Sequence, residues 1–418
     1  MHVGQAAGTD GGVVSLHHKA SLTIPQLVET SEALGALIDS LEGVRDVAID
    51  IESNGYYNYF ERTCIISLST PDQDFVIDSL ALWNEIEPLR VELCDKGRRI
   101  LVHGGSYDVL SLKRDFGFRF DSIIDTMLAA TLLGFDVLGL AGLVKKYLDI
   151  DLPKELQRHN WTLRPLQKEQ LRYLGNDTRF LFPVVEILEA QIAEKDLQEE
   201  LDLECEALAA QPYIERTYDP KESVDKLKDS RRMSPKVRGY LREIFRWRDE
   251  VSREIDVAPF RLLANNVVLA LATHPPKSSE ELRERRGVGK YVFDSGIERL
   301  AKAIQEGEAN PFPFTRERGP RPSTKRNFDE ERNLSKALKQ WRTNEAEKRG
   351  IGIQGVLPTP AMKEVGDLLP QSDEELLAID RVGKRRVERY GEDLIEMVAA
   401  FCPESLRQKA KLREVDAH

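Results

Sequence analysis

At 418 residues the chain is too long for one ordinary domain, and two or three are expected. A hydrophobic share of 41% supports real cores, while no apolar run nears the roughly 18 residues of a membrane-spanning helix. The net charge of −11 divides unevenly: residues 1–210 hold 19 Lys and Arg against 35 Asp and Glu (−16), and residues 211–418 hold 41 against 36 (+5), so the second half is the better partner for a polyanion.

In chain order, residues 1–22 read as a loose tail without a charged-then-apolar leader pattern. From residue 23 to 210, strand and helix signals alternate. SLTIP (21–25) is strand-like, and LVETSEALGALIDSL (27–41) has a helical period. VAIDIE (47–52), TCIISLST (63–70) and DFVIDSL (74–80) read as strands, the last two parted by the turn PDQ. After a helical stretch near EIEPLRVELCDKG, RRILVHG reads as a buried strand. From Ser106 helical periods dominate, through IIDTMLAATLLG to a long charged helix ending near residue 208. Strands first and helices later predict an α/β unit, a mixed sheet flanked by helices.

The second half has almost no strand signal but repeats itself at an offset of 94 residues. Trp247-Arg248 falls on Trp341-Arg342, SSEEL (278–282) on SDEEL (372–376), and GVGK (287–290) on RVGK (381–384). Two all-α modules are therefore expected, at 232–310 and 331–403, with a proline-rich linker at 311–330 and a tail at 404–418. Cys64, Cys94, Cys205 and Cys402 lie far apart with no CxxC pair, which argues against zinc and disulfides and suits a reducing cytoplasm.

Residues two apart in a strand point the same way, so Asp50 and Glu52 share one face with Ala48, while Ile49 and Ile51 face a core. Two acids so placed suit an exposed sheet edge, or a hard-oxygen site for Mg²⁺ or Mn²⁺. Asp108 follows an apolar strand and two glycines near a helix start, where the helix dipole alone would favour an acid. Tyr173 and Asp177, at i and i+4, share a helical face.

Taken together, DIE (50–52), HGGSYD (103–108), FDSIIDTMLAATLLG (120–134) and KELQRHNWTLRPL (154–166) running into YLGND (173–177) resemble the DEDD exonucleases of the ribonuclease D kind. The YxxxD spacing resembles the tyrosine subclass, and the repeated modules resemble HRDC domains, helical nucleic-acid-binding units. The resemblance implies a ribonuclease-H-like fold and a metal-dependent 3′→5′ exoribonuclease releasing nucleoside 5′-monophosphates. Asp50 would bridge two divalent ions, Glu52 and Asp177 would complete the first site, and Asp108 would hold the second. Tyr173 would orient the attacking water and help deprotonate it. The implied partner is RNA with a single-stranded 3′ end, such as a transfer-RNA precursor, bound by a monomer. A DNA exonuclease and a catalytically silent nucleic-acid-binding scaffold are the alternatives.

Further nucleic-acid contacts are expected at Lys154, Gln157, Trp161 and Arg164, against plain helix or core roles for the same residues. In the modules, main-chain N–H groups at the GVGK and RVGK turns can hold a phosphate. Lys290 and the run RVGKRRVERY with Lys384, Arg385 and Arg386 are the candidates there. Asp125 reads as a helix N-cap and His103 as a packed histidine. The aromatics of GYYNYFER (55–62) fit either a packed hairpin or base stacking. Two departures from the family pattern stand out: His159-Asn160 before Trp161, where Ser-Asp is usual, and Gly175-Asn176, where small apolar residues are usual. Glycine and asparagine there are expected to weaken the helix carrying Tyr173 and Asp177.

Overall fold

A computed structural model of the protein describes residues 24–94, 97–153, 155–215, 217–294, 296–315, 327–407 and 409. The expected tail at 1–22 and most of the expected linker fall outside these residues. So does Lys154.

The first half is built on a six-stranded mixed sheet. Its strands are β1 (Gln26–Val28), β2 (Asp46–Ser53), β3 (Thr63–Ser69), β4 (Asp74–Asp78), β5 (Arg99–Val102) and β6 (Ser122–Asp125), in the order β1-β4-β3-β2-β5-β6. Strands β2, β3 and β4 form an antiparallel meander, and β1, β5 and β6 add in parallel. The helices of this half are α1 (Ser31–Ser40), α2 (Glu87–Cys94), α3 (Ser106–Phe116), α4 (Thr126–Leu133), α5 (Leu140–Leu148), α6 (Lys168–Arg179), α7 (Leu181–Glu194) and α8 (Gln198–Ala210).

Both faces of the sheet are covered. Val47, Ile49 and Ile51 of β2 pack on one side with Leu37, Leu89 and Leu112. Ala48 packs on the other with Leu101, Ile124, Leu181 and Val185. A central strand covered on both sides is not an exposed edge, so that reading of Asp50 and Glu52 is withdrawn.

Two expected elements move. The first strand is Gln26–Val28 rather than 21–25, because it pairs in parallel with Phe75–Ile77 of β4, and Thr30 then caps α1 through its side chain. Ser122–Asp125, read as helical, is the edge strand β6, drawn into the sheet by β5. The long helix ending near 208 is two helices, α7 and α8, meeting at Lys195–Leu197.

The described residues of the second half form helices and no strand. Helices α9 (Pro235–Glu254), α10 (Asn265–Thr273) and α11 (Ile297–Ala309) form the first module around its own core of Leu241, Phe245, Val268, Leu271 and Leu300. Helices α12 (Phe328–Arg349), α13 (Thr359–Leu368) and α14 (Gly383–Phe401) form the second. The repeat extends to the hydrogen bonds. Arg248 donates to Leu263 O at 2.8 Å, and Arg342, 94 residues on, donates to Leu357 O at 3.0 Å. Residues 404 and 405, expected in a tail, are helical, and their N–H groups are held by Glu330 at 3.0 and 3.1 Å.

Among the described residues the second module has no separate core. Leu334, Leu338, Leu394 and Val398 belong to one apolar cluster with Ala130, Leu132, Leu188 and Leu201 of the first half. Gly352 N donates to Leu132 O at 2.8 Å, and a Cβ on Gly352 would lie 2.0 Å from Thr131 O, so only glycine permits this approach.

Candidate active site

Strand β2 presents Asp50 and Glu52 from the middle of the sheet. Immediately after Glu52 the ladder with β3 slips by one residue, Glu52 facing Ile65 and Ser53 facing Thr63. Such a bulge re-aims the side chains beside it. Asp108 lies in the first turn of α3, which starts where β5 ends. The chain reverses there through Gly104 (φ +64) and Gly105, whose N–H groups both donate to Asp125 at 2.9 Å. Asp125 also caps α4, accepting from Met127 N at 2.8 Å and Leu128 N at 3.2 Å. One buried carboxylate thus ties together the starts of α3 and α4. The second half of that role was invisible in the sequence, because the glycine partners sit 20 residues away. His103 Nδ1 meets Thr126 Oγ1 at 2.8 Å, a packed histidine beside the site.

Helix α6 brings Tyr173 and Asp177 over β2, β3 and β4. It is pinned by Ser69 Oγ to Thr178 Oγ1 at 2.7 Å and by Arg179 to Asp74 at 2.8 Å. Gly175 is a packing requirement: a Cβ would meet Pro25 Cγ at 2.5 Å and Arg179 Nη2 at 2.7 Å. The expected weakening of the helix is therefore offset by close contact. His159, the other departure, bonds Gln170 through its Nε2 at 2.6 Å, and the Gln170 carbonyl accepts from Gln167 N at 2.6 Å to close the helix start.

One carboxylate oxygen each from Asp50, Glu52 and Asp177 lies within 4.8 Å of the others. Asp108, 7% exposed, lies beside these three, near enough to feel the charges of Asp50 and Asp177. Burial raises Asp50 from its ordinary range to about 7. Burial, and then repulsion from Asp50, Asp177 and Asp108, raises Glu52 to about 9. Burial first, and then the Asp50 charge, holds Asp108 and Asp177 well above the carboxylate range. Four acids pressed together so that each resists ionisation form a donor set in need of cations. All the donors are hard carboxylate oxygens, as Mg²⁺ and Mn²⁺ prefer, and the set fits divalent ions. Burial, followed by the neighbouring acids, also raises the Tyr173 phenol. The phenol therefore keeps its proton in the cation-free cluster and can donate a hydrogen bond beside Asp177 and Glu52.

Several expected contacts are corrected. Trp161 is 1% exposed and stacks on Tyr173 at 6.0 Å between ring centres, so no base can reach its face. Its indole N–H, which makes no hydrogen bond of ordinary geometry, is directed at Glu52 and opposes the rise in that acid's proton affinity. Arg164 is paired with Asp78 at 2.8 Å and donates to Trp161 O at 2.7 Å, a clamp on the segment carrying Trp161. Arg386 is fully buried and donates to Val356 O, Arg381 O and Gln354 O. It holds its own module together.

The RVGK turn is also taken. Lys384 N and Arg385 N donate to the two Glu199 carboxylate oxygens, while Arg381 pairs with Glu204 at 3.1 Å and Arg389 with Glu200 at 2.7 Å. The run expected to hold phosphate grips α8 instead. The side chains of Lys384 and Arg385 stay exposed, as do those of Gln157 and Lys290.

The aromatic loop after β2 docks the first module. Ala258 N donates to Tyr57 O at 2.9 Å, Phe60 N to Asp256 Oδ1 at 2.9 Å, and Tyr59 OH to Asp249 Oδ1 at 2.8 Å.

Comparison with known proteins agrees with this architecture. Residues 25–193 match the family described as 3′-5′ exonuclease, and residues 238–304 and 331–398 each match the HRDC domain. The chain carries a DEDD-type 3′-5′ exonuclease domain followed by two HRDC domains. It is 29% identical over 253 residues to the exosome complex component 10 homolog of Caenorhabditis elegans, covering 60% of this chain and 29% of that protein. The chain thus spans less than a third of that relative's length. The catalytic core of RRP6 from Trypanosoma brucei superposes with a TM-score of 0.63 at 26% identity, covering 72% of this chain and 90% of that one. Escherichia coli RNase D shares the fold, with a TM-score of 0.62 at 20% identity over 91% of this chain and all of its own.

Proposed function

We propose that this protein is a metal-dependent 3′→5′ exoribonuclease that removes nucleoside 5′-monophosphates from single-stranded 3′ ends of RNA, transfer-RNA precursors among them. The observation that carries this reading is the convergence of Asp50, Glu52, Asp108 and Asp177 with Tyr173 in one site drawn from three distant segments. The match of residues 25–193 to the 3′-5′ exonuclease family supports the reaction class.

Two divalent ions held by the four acids would activate water, neutralise the scissile phosphate and stabilise the leaving 3′ oxygen. The chain's own residues do the rest. Asp50, Glu52 and Asp177 hold their oxygens close together on β2 and α6, and Asp108 approaches from α3. Tyr173, fixed by its stack on Trp161, offers its O–H toward the space beside Asp177 and Glu52, where it orients the attacking water. Four free, buried cysteines suit action in the cytoplasm, and the protein is taken to act as a monomer.

A time course on 3′-tailed RNA and DNA of equal sequence, in Mg²⁺, Mn²⁺ and chelator, tests the reading. Stepwise loss of 5′-monophosphates from RNA in metal alone is expected. Equal rates on DNA would redirect the assignment to a DNA exonuclease, and inertness with both metals would leave a binding scaffold.

A further inference from the structure

The docking of the first HRDC domain builds a surface that neither domain has alone. Tyr56 lies four residues after Glu52, at most about 15 Å of chain away. Its ring has the Arg158 guanidinium at 5.9 Å, from the exonuclease domain, and the Arg261 guanidinium at 5.6 Å, from the HRDC domain. Phe260 packs against it at 5.1 Å, yet Tyr56 and Phe260 remain 41% and 43% exposed.

Most arginines of the first half are ion-paired, although Arg62 and Arg119, like Arg158, have no acid within 4.0 Å among the described residues. Arg90, Arg98, Arg99, Arg114, Arg164 and Arg179 are all ion-paired. Arg158 and Arg261 have no acidic partner among the described residues, and the contacts of both are to tyrosine rings. The docking itself does not need Arg158, because main-chain bonds to Asp256 and from Ala258 already hold the loop.

We propose that Tyr56, Phe260, Arg158 and Arg261 form the entry platform for the single-stranded 3′ tail of RNA, a few nucleotides upstream of the scissile bond. This rests on the exonuclease reading above. Exposed aromatic faces accept bases of any sequence, and guanidiniums beside them take the phosphates between those bases. The physical need is clear: a polyanion must pass into a site ringed by four acids, within a half of the chain whose net charge is −16. Two unpaired cations at the threshold supply the missing attraction, and their position at the seam makes the HRDC domain part of the substrate path.

The test compares two probes on the full chain: RNA with a long single-stranded 3′ tail, and the p-nitrophenyl ester of a nucleoside 5′-monophosphate, which occupies the metal site alone. In R158Q/R261Q and in Y56L, the ratio of kcat/KM on tailed RNA to that on the ester should fall about tenfold. For the double variant, the slope of log affinity for RNA against log salt should shrink by about 1.4, two contacts at roughly 0.7 each. R158Q alone, which removes no docking bond, should show about half of that slope change. A ratio and slope matching the unsubstituted chain would overturn the platform, and so would equal losses on both probes. A native chain inert on both would sink the exonuclease reading instead. RNA binding measured in Ca²⁺ would then still decide the platform, by the same change in salt slope or its absence.

Discussion

Glu199 of α8 closes the turn before Arg385: its carboxylate accepts from Arg385 N at 2.6 Å and from Lys384 N at 3.2 Å. The N–H groups that could have cradled a phosphate hold a carboxylate of the same chain. Substituting Glu199→Ala should free the turn and cost about 1–3 kcal/mol of stability, read as a lower urea midpoint. Arg385→Ala, which removes an exposed side chain paired with Glu388 one turn on, should change stability by no more than about 0.5 kcal/mol.

The shared core predicts the outcome of truncation. Deleting residues 331–418 would strip Leu188, Leu201, Ala130 and Leu132 of their partners on α12 and α14. The remaining chain should aggregate or unfold with a midpoint well below that of the full chain, seen by circular dichroism in urea. Survival of a folded, active fragment would contradict the common core.

Trp161 supports Tyr173 from beneath. Trp161→Phe should cost about 1–3 kcal/mol in packing and lower kcat on RNA about tenfold through a displaced Tyr173. Tyr173→Phe in the same assay should lower kcat while metal affinity, read by calorimetry, stays within about twofold.

The acid cluster sets the pH response of the metal-free chain. Asp50 and Glu52 titrate at about 7 and about 9 when folded, against ordinary values of 3.8 and 4.5. The folded state therefore holds these protons more tightly than the unfolded state. The stability they contribute is full below about pH 4, declines as pH rises, and is gone above about pH 9. In chelator, Tm should fall across that window. Mn²⁺ or Mg²⁺ should restore it by an amount that grows with pH, because the ions bind the deprotonated set.

Removing one acid tests the same repulsion. Asp50→Asn should abolish RNA shortening yet flatten the fall in Tm measured in chelator, since one of the crowded charges is gone. A variant that still shortened labelled RNA in Mg²⁺ would displace Asp50 from the centre of the site.

The legible part of the chain was local. Short strand-like runs bounded by turn signals marked β2, β3 and β4, and the 94-residue repeat marked two helical modules, because such patterns follow directly from backbone geometry. Edge strands were less legible. Gln26–Val28 and Ser122–Asp125 are only three and four residues long, and each owes its extension to a neighbouring strand rather than to its own pattern. The same holds for charge. Nothing in RVGKRRVERY says that Glu199, Glu200 and Glu204 wait on a helix some 180 residues earlier, so a grip on α8 read as a grip on phosphate.

By itself, then, the sequence determined which residues could chelate metal and which of the longer segments would be helix or strand, since side-chain chemistry and backbone period are written residue by residue. Only the tertiary structure decided which charges remain free. Asp50, Glu52, Asp108 and Asp177 are brought to face one another, whereas Arg164, Arg386 and Arg389 are already satisfied by carbonyls or acids. The reason is that electrostatic and hydrogen-bond partners are fixed by distance in space. Folding alone sets those distances, and it left Arg158 and Arg261 over the Tyr56 ring with no acidic partner among the described residues.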